Sequence, residues 1–274
     1  MDVYSLTFSP TGTSAKIVKS IMGGIAGKSD VAVSFQDLTV SPLEKTHYAA
    51  DDLVIFSAPV YGGKIAPIVK LRLADLKGEG TKCIVVAVYG NRAFENAVTD
   101  FSTFLEERGF SVCGAGAFIG EHSYSTSLTP IAENRPDDRD VADAVSFGES
   151  IAMRISEGTL APVDVSLLND EPSPVESIEN FRKFIMEYQR LQKESPKMYL
   201  PELDKERCDE CGACYSVCPT GAISEELDGV DASKCIKCCA CVKSCPQNAR
   251  SLYTPFSNPL SENFNHRKSP KWIL

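Results

Sequence analysis

The first 160 residues alternate short apolar runs with amphipathic stretches. The runs fall at residues 3–8, 31–35, 53–57, 83–89 and 112–119, lengths that suit strands. Between them, apolar positions recur at helical spacing over 13–25, 67–73, 94–107 and 141–155. This alternation predicts an α/β fold with a doubly wound, five-stranded parallel sheet. Ligands of such sheets sit at the carboxyl ends of the strands, near the point where the winding reverses. Residues 158–176 are rich in Pro, Ser and Asp and read as a connector. A further amphipathic helix follows at 178–191, with Phe181, Phe184, Ile185, Tyr188 and Leu191 on its apolar face. That face is expected to dock on the sheet domain or between domains, or else to form a homodimer. Beyond Ser251, Pro255, Pro259 and Pro270 predict an irregular tail with Trp272 near its end, draped over a domain or docking a partner.

The region before the tail is built differently. Cys208, Cys211, Cys214 and Cys218 precede Pro219, and Cys235, Cys238, Cys241 and Cys245 precede Pro246, each cysteine 27 residues after its counterpart. The flanks repeat as well: Leu203-Asp204 matches Val230-Asp231, Arg207 matches Lys234, and Ala222 and Ser224 match Ala249 and Ser251. An internal duplication with two metal centres follows. A disulfide framework belongs to exported chains, and Met1-Asp2-Val3 opens without the basic and apolar segments of an export signal. Zinc needs two Cys-x2-Cys knuckles for one tetrahedron, and triple-cysteine runs ending in Cys-Pro oversupply it.

The spacing resembles that of two-cluster ferredoxins, in which the cysteine before the proline ligates the other cluster. The resemblance implies one [4Fe-4S] cluster on Cys208, Cys211, Cys214 and Cys245, and a second on Cys235, Cys238, Cys241 and Cys218. Cys239 is out of register with the first repeat and is expected beside a cluster without ligating it. Cys83 and Cys113 lie in apolar runs and read as small buried hydrophobes.

With 274 residues and 43% of them hydrophobic, the chain can bury a full core and a smaller one. No uncharged stretch reaches the roughly 18 apolar residues of a membrane span. The formal charge of −9 argues against nucleic acid and favours a redox partner protein with a basic face. A cytoplasmic location is expected.

After the first apolar run the chain reads Ser9-Pro10-Thr11-Gly12-Thr13-Ser14 and enters a helix. Four hydroxyls, a glycine and the helix N-terminal amides form a phosphate cup with no cation before Lys16. Gly27-Lys28-Ser29 lacks the earlier glycine of a Walker loop, and Gly114-Ala115-Gly116 lacks the third glycine of a dinucleotide fingerprint. The Ser9 to Ser14 loop resembles the FMN phosphate loop of flavodoxins. The resemblance places the flavin ring against the loops after the third and fourth strands, at Pro59, Val60, Tyr61 and Gly62, and at Tyr89, Gly90, Asn91 and Arg92. Tyr61 is the candidate stacking residue, and Tyr89 is either a second ring contact or the last residue of a buried strand. Arg92 would favour an anionic reduced flavin if it points at the ring.

Together with Glu121-His122-Ser123 and Asn134-Arg135-Pro136-Asp137, these features resemble the EFR1 family of flavodoxin–ferredoxin fusions of anaerobes. The resemblance implies a flavodoxin-like domain at 1–158, a linker with a docking helix at 159–200, a small α+β bacterial-type ferredoxin domain at 201–254, and a tail at 255–274. His122 follows the end of a strand and is either a proton donor near the flavin or a hydrogen-bonding loop residue. No hydrolytic triad or zinc-protease motif has positional support. The expected function is a relay of single electrons between two [4Fe-4S] clusters and FMN. The alternative is an FMN-dependent reductase of a small molecule fed through the clusters.

Overall fold

The computed structural model describes residues 1–274. They gather into two compact units. The first holds residues 1–121, 134–171 and 267–274, and the second holds 122–133 and 172–266.

The first unit is a sheet with helices. Strands β1 (Val3–Thr7), β2 (Val33–Asp37), β3 (Leu53–Tyr61), β4 (Thr81–Tyr89) and β5 (Phe110–Ile119) are parallel and lie in the order β2-β1-β3-β4-β5. This is the flavodoxin-like order, with its reversal beside β1. Burial explains the order: β4 is buried along nearly its whole length, whereas β2 exposes polar residues and takes an edge. Helices α1 (Thr13–Ala26), α2 (Pro67–Arg72), α3 (Ala97–Glu106) and α4 (Asp138–Ser156) complete the unit. Ile17, Ile21 and Ile25 of α1 and Phe147 and Ile151 of α4 share one core with Ile55, Ile84 and Val86 of the sheet. The two helices meet through Gly24 and Gly148, where an added Cβ would strike the backbone of the facing helix. Cys83 and Cys113 are buried, and Cys113 sits in a bulge of the β4–β5 ladder.

The sheet has more strands than the five expected. Lys64–Ile65 folds back antiparallel on the end of β3, and Lys271–Ile273 adds an antiparallel edge strand to β5. The expectation of an irregular tail is therefore corrected. Trp272 lies parallel to Phe118 at 6.1 Å and also faces Phe147, which gives the last residues an apolar reason to close the open edge of β5. Pro259 does not prevent a helix either, because it stands in the first turn of Ser257–Asn263, where the missing N–H has no intrahelical partner. The chain thus leaves the sheet unit twice, at 122–133 and at 172–266, and returns to finish it.

In the second unit, α5 (Val175–Glu194) is the expected amphipathic helix, extended by three residues at each end beyond the 178–191 pattern. Short helices α6 (Ala213–Ser216) and α7 (Ala240–Lys243) follow in the cysteine repeats, then α8 (Ser257–Asn263). The aromatic face of α5 docks on α8: Phe184 and Tyr188 meet Phe256 edge-on at 5.2 and 4.9 Å, and Phe181 meets Phe264 at 5.3 Å. Ile131 of the 122–133 excursion joins Leu260 and Phe264 in the same small core.

The cysteine repeats fold as near-equivalent halves. Asp204 N–H donates to Ala249 O at 2.8 Å, and its repeat partner Asp231 N–H donates to Ala222 O at 2.7 Å, so each half bonds to the other. The left-handed residues also match, Glu210 with Lys237, Gly212 with Cys239 and Gly221 with Asn248.

Candidate metal centres and phosphate loop

The structure brings Cys218 together with the second cysteine run. One recess of the second unit is lined by Cys218, Cys235, Cys238 and Cys241. Burial pushes the Cys238 thiol up to about 11 and the Cys241 thiol up to about 12, and the neighbouring charges of Cys235 and Cys218 add to both shifts. In the other set, the charge of Cys245 acts on Cys211. Cys211 is exposed, Cys208 and Cys245 are half-buried, and Cys214 is buried. No three His, Cys, Asp or Glu side chains come close enough to ligate a single ion. A cubane makes a different demand, since its four thiolates bind separate corners of a cube.

The donor chemistry suits such a group. Ala222 N–H donates to Cys218 Sγ and Ala249 N–H to Cys245 Sγ, both at 3.2 Å, and Glu210 N–H donates to Cys208 Sγ at 3.4 Å. Amide donors of this kind stabilise thiolates and help set cluster potentials. Cys239 caps α7 at φ 61°, where the first repeat has Gly212 at φ 72°. It lines the same recess, its buried thiol donates to Lys237 O at 3.8 Å, and its backbone fills the glycine position of the turn.

In the first unit, β1 leads into the Ser9 to Ser14 loop. The Ser9 hydroxyl accepts the Ala15 N–H at 2.9 Å, Gly12 N–H donates to Ser9 O, and Ser9 N–H donates to Thr39 Oγ1, so Ser9 holds the loop shut. Gly12 caps α1 at φ 84°. Thr13 packs so closely under Gly120 that a Cβ there would lie 3.0 Å from its own Cβ. Lys16 is drawn aside, its ammonium donating to Pro136 O at 2.7 Å. Ser14 is 1% exposed and its Oγ has no hydrogen-bond partner. A buried hydroxyl left in that state is costly, and a phosphate oxygen at the helix N-terminus would satisfy it. The loop therefore fits a phosphate.

The two loops expected to border a flavin ring differ in what they offer. Pro59, Val60 and Tyr61 are half-buried at the end of β3, which turns back at Gly62-Gly63. Tyr89 is buried with its ring edge-on to Phe94 at 5.6 Å, and burial pushes its phenol up, which keeps it neutral. Its side chain belongs to the core, the second of its two sequence readings. Gly90 is half-buried, and Asn91 is buried at φ 65°. The Arg92 guanidinium pairs with Glu95 at 2.6 Å, which offsets the charge expected to act on a flavin.

Two residues without a sequence signal pin this second loop. The Asp170 carboxylate accepts the Phe94 and Glu95 N–H groups at 2.9 Å each, and Lys268 Nζ donates to Arg92 O at 2.7 Å. Lys268 is 1% exposed, and burial lowers its pKa. Its own carbonyl accepts from Arg135, which pairs in turn with the buried Asp140.

His122 belongs to the second unit, where its Nδ1 accepts the Tyr124 N–H at 3.0 Å, a hydrogen-bonding loop role. Sequence reasoning also missed Tyr124, whose phenol is pushed up by burial and then by the charges of Cys239, Cys235 and Cys238. Lys243 Nζ ties the same excursion to the repeats by donating to Ser125 O at 2.8 Å. None of the helices is long and apolar enough to cross a membrane.

A family model described as a 4Fe-4S binding domain matches residues 201–224 and 229–251, one match per repeat. No curated protein matches the chain. Among solved structures, a flavodoxin from the domain Archaea is 17% identical over 57% of this chain and 99% of its own, with a TM-score of 0.41. The Streptococcus pneumonia TIGR4 flavodoxin is 17% identical over 56% of this chain and 99% of its own, with a TM-score of 0.40. The Flv1 flavodiiron core from Synechocystis sp. PCC6803 is 16% identical over 58% of this chain, which spans 36% of that protein, with a TM-score of 0.43. By strand order in one unit and family match in the other, the chain joins a flavodoxin-like fold to a 4Fe-4S ferredoxin-like region.

Proposed function

We propose that this chain is an electron-transfer protein carrying two [4Fe-4S] clusters and one FMN, organised as in the EFR1-type fusions. The observation that carries the reading is the company of Cys218: it lines one recess with Cys235, Cys238 and Cys241, the crossed set of a two-cluster ferredoxin. Cys208, Cys211, Cys214 and Cys245 would hold the other cluster. Bound, the clusters exchange single electrons and the flavin one or two, so the protein would convert between one- and two-electron reactions.

The residues of the sheet unit would bind and orient the flavin. Ser14 would donate its free hydroxyl to the phosphate, with Thr11, Thr13 and the first amides of α1 around it, while Ser9 keeps the loop closed. Tyr61 would flank the ring, and the backbone of residues 90–92, pinned by Lys268 and Asp170, would border its polar edge. The formal charge of −9 favours a redox partner with a basic docking face.

The test is anaerobic reconstitution of the full chain with iron, sulfide and FMN, followed by metal analysis and EPR of the reduced protein. About eight irons per chain and signals from two clusters are expected. Four irons, or no retained FMN, would remove the corresponding half of the reading.

A further inference from the structure

The duplicated halves of the cysteine region are alike in backbone and opposite in charge. Residues 201–227 carry seven acidic and two basic side chains, whereas 228–254 carry two acidic and four basic. The difference falls on matched positions: Glu210 against Lys237, Asp209 against Ile236, Ser216 against Lys243, and Ile223 against Arg250. Arg250 is the unusual member. It is 3% exposed on a two-residue strand that packs against α7, the helix bearing Cys241. Its Nη2 donates to Leu227 O, and its Nε has no hydrogen-bond partner. Leu227 belongs to the buried cluster that holds Cys214 and Cys241, so the guanidinium is anchored at the cysteine core, and its charge acts on Cys241. A buried cation without a carboxylate partner is costly to keep unless it faces negative charge.

We infer that Arg250, assisted by Lys237, selectively raises the reduction potential of the centre held by Cys218, Cys235, Cys238 and Cys241, and so makes the two centres unequal electron sites. This rests on the two-cluster reading. Reduction adds one negative charge to a centre already surrounded by four thiolates. Burial opposes that addition, and Cys238 and Cys241 are buried where Cys211 of the other set is exposed. A fixed positive charge in the same low-dielectric surroundings acts in the opposite sense and more strongly than a solvated one. The other set lacks such a cation, since Ile223 stands at the position matching Arg250 and the acidic Glu210 at the position matching Lys237.

The test is an EPR-monitored redox titration of the anaerobically reconstituted full chain and its variants, with iron content measured on each. Arg250→Gln is expected to lower one of the two midpoint potentials, shifting the distribution of an electron between the centres about tenfold, ~59 mV for a one-electron couple. The other potential should move by less than about a third as much. Arg250→Lys should retain most of the original value. Lys237→Gln should lower the same potential as Arg250→Gln, and Glu210→Lys should raise the other one, so the outcome does not depend on a single buried substitution. Potentials that move together or not at all, or Arg250→Lys behaving as Arg250→Gln, would overturn the inference and leave the two-cluster reading intact. An unmodified chain holding only one cluster would overturn both.

Discussion

Ser14 illustrates how a single residue carries information about a ligand. Its hydroxyl is buried with no partner inside the protein, so replacing it by alanine removes no internal hydrogen bond. Ser14→Ala should leave the melting temperature within about a degree while weakening FMN binding on the order of tenfold or more, the loss of a hydrogen bond to a charged group. Calorimetry and flavin fluorescence quenching on the same preparation check both halves. Unchanged affinity would show that the hydroxyl does not meet the phosphate. Cys239 makes the complementary point. Register with the first repeat favours Cys238 as the metal ligand of the adjacent pair, and the backbone gives a reason for its neighbour: Cys239 occupies a left-handed cap where the first repeat uses Gly212.

At the scale of elements, the junction between α4 and the tail is the most informative. Asp137 caps α4, accepting from Arg139 and Asp140, and it also receives the Arg267 guanidinium at 2.6 Å. That contact holds its carboxyl well below the usual carboxylate range. A depressed folded-state pKa stabilises the protein above the unfolded value of about 3.9, and the contribution fades as pH falls toward the folded value. Asp137→Ala should therefore cost about 1 kcal/mol near pH 7, mostly from the cap because the ion pair is exposed, and progressively less below about pH 4. Urea denaturation of both proteins across pH 3 to 7 measures the difference, and a cost independent of pH would refute it. The four main helices of the sheet unit and its five parallel strands were legible from periodicity to within a few residues. The edge strand Lys271–Ile273 was not, because three residues carry no period and its partner β5 lies about 150 positions earlier.

For the molecule as a whole, the two units differ in what sustains them. The sheet unit has a continuous core of aliphatic side chains on α1, α4 and the central strands. The cysteine repeats have Cys214, Ile223, Leu227 and Cys241 as their buried cluster, two of the four being metal-ligand candidates. Where ligands make up half of such a core, metal binding and folding are coupled. Iron chelation under reducing conditions should abolish hydrogen-exchange protection in residues 201–254 while the central strands of the sheet stay protected. Equal loss in both regions, or no loss in the repeats, would show that the coupling is absent.

Sequence alone determined the duplicated cysteine spacing, the strand and helix alternation and the hydroxyl-rich loop, because each is a local pattern whose chemistry depends on neighbours along the chain. Tertiary structure decided which cysteines share a recess, that Tyr89 serves the core, that Lys268 and Asp170 pin a loop far from them in sequence, and that the tail closes the sheet. Those outcomes depend on through-space packing and on burial, where a charge or an unpaired hydroxyl acquires an energy that its place in the sequence does not reveal.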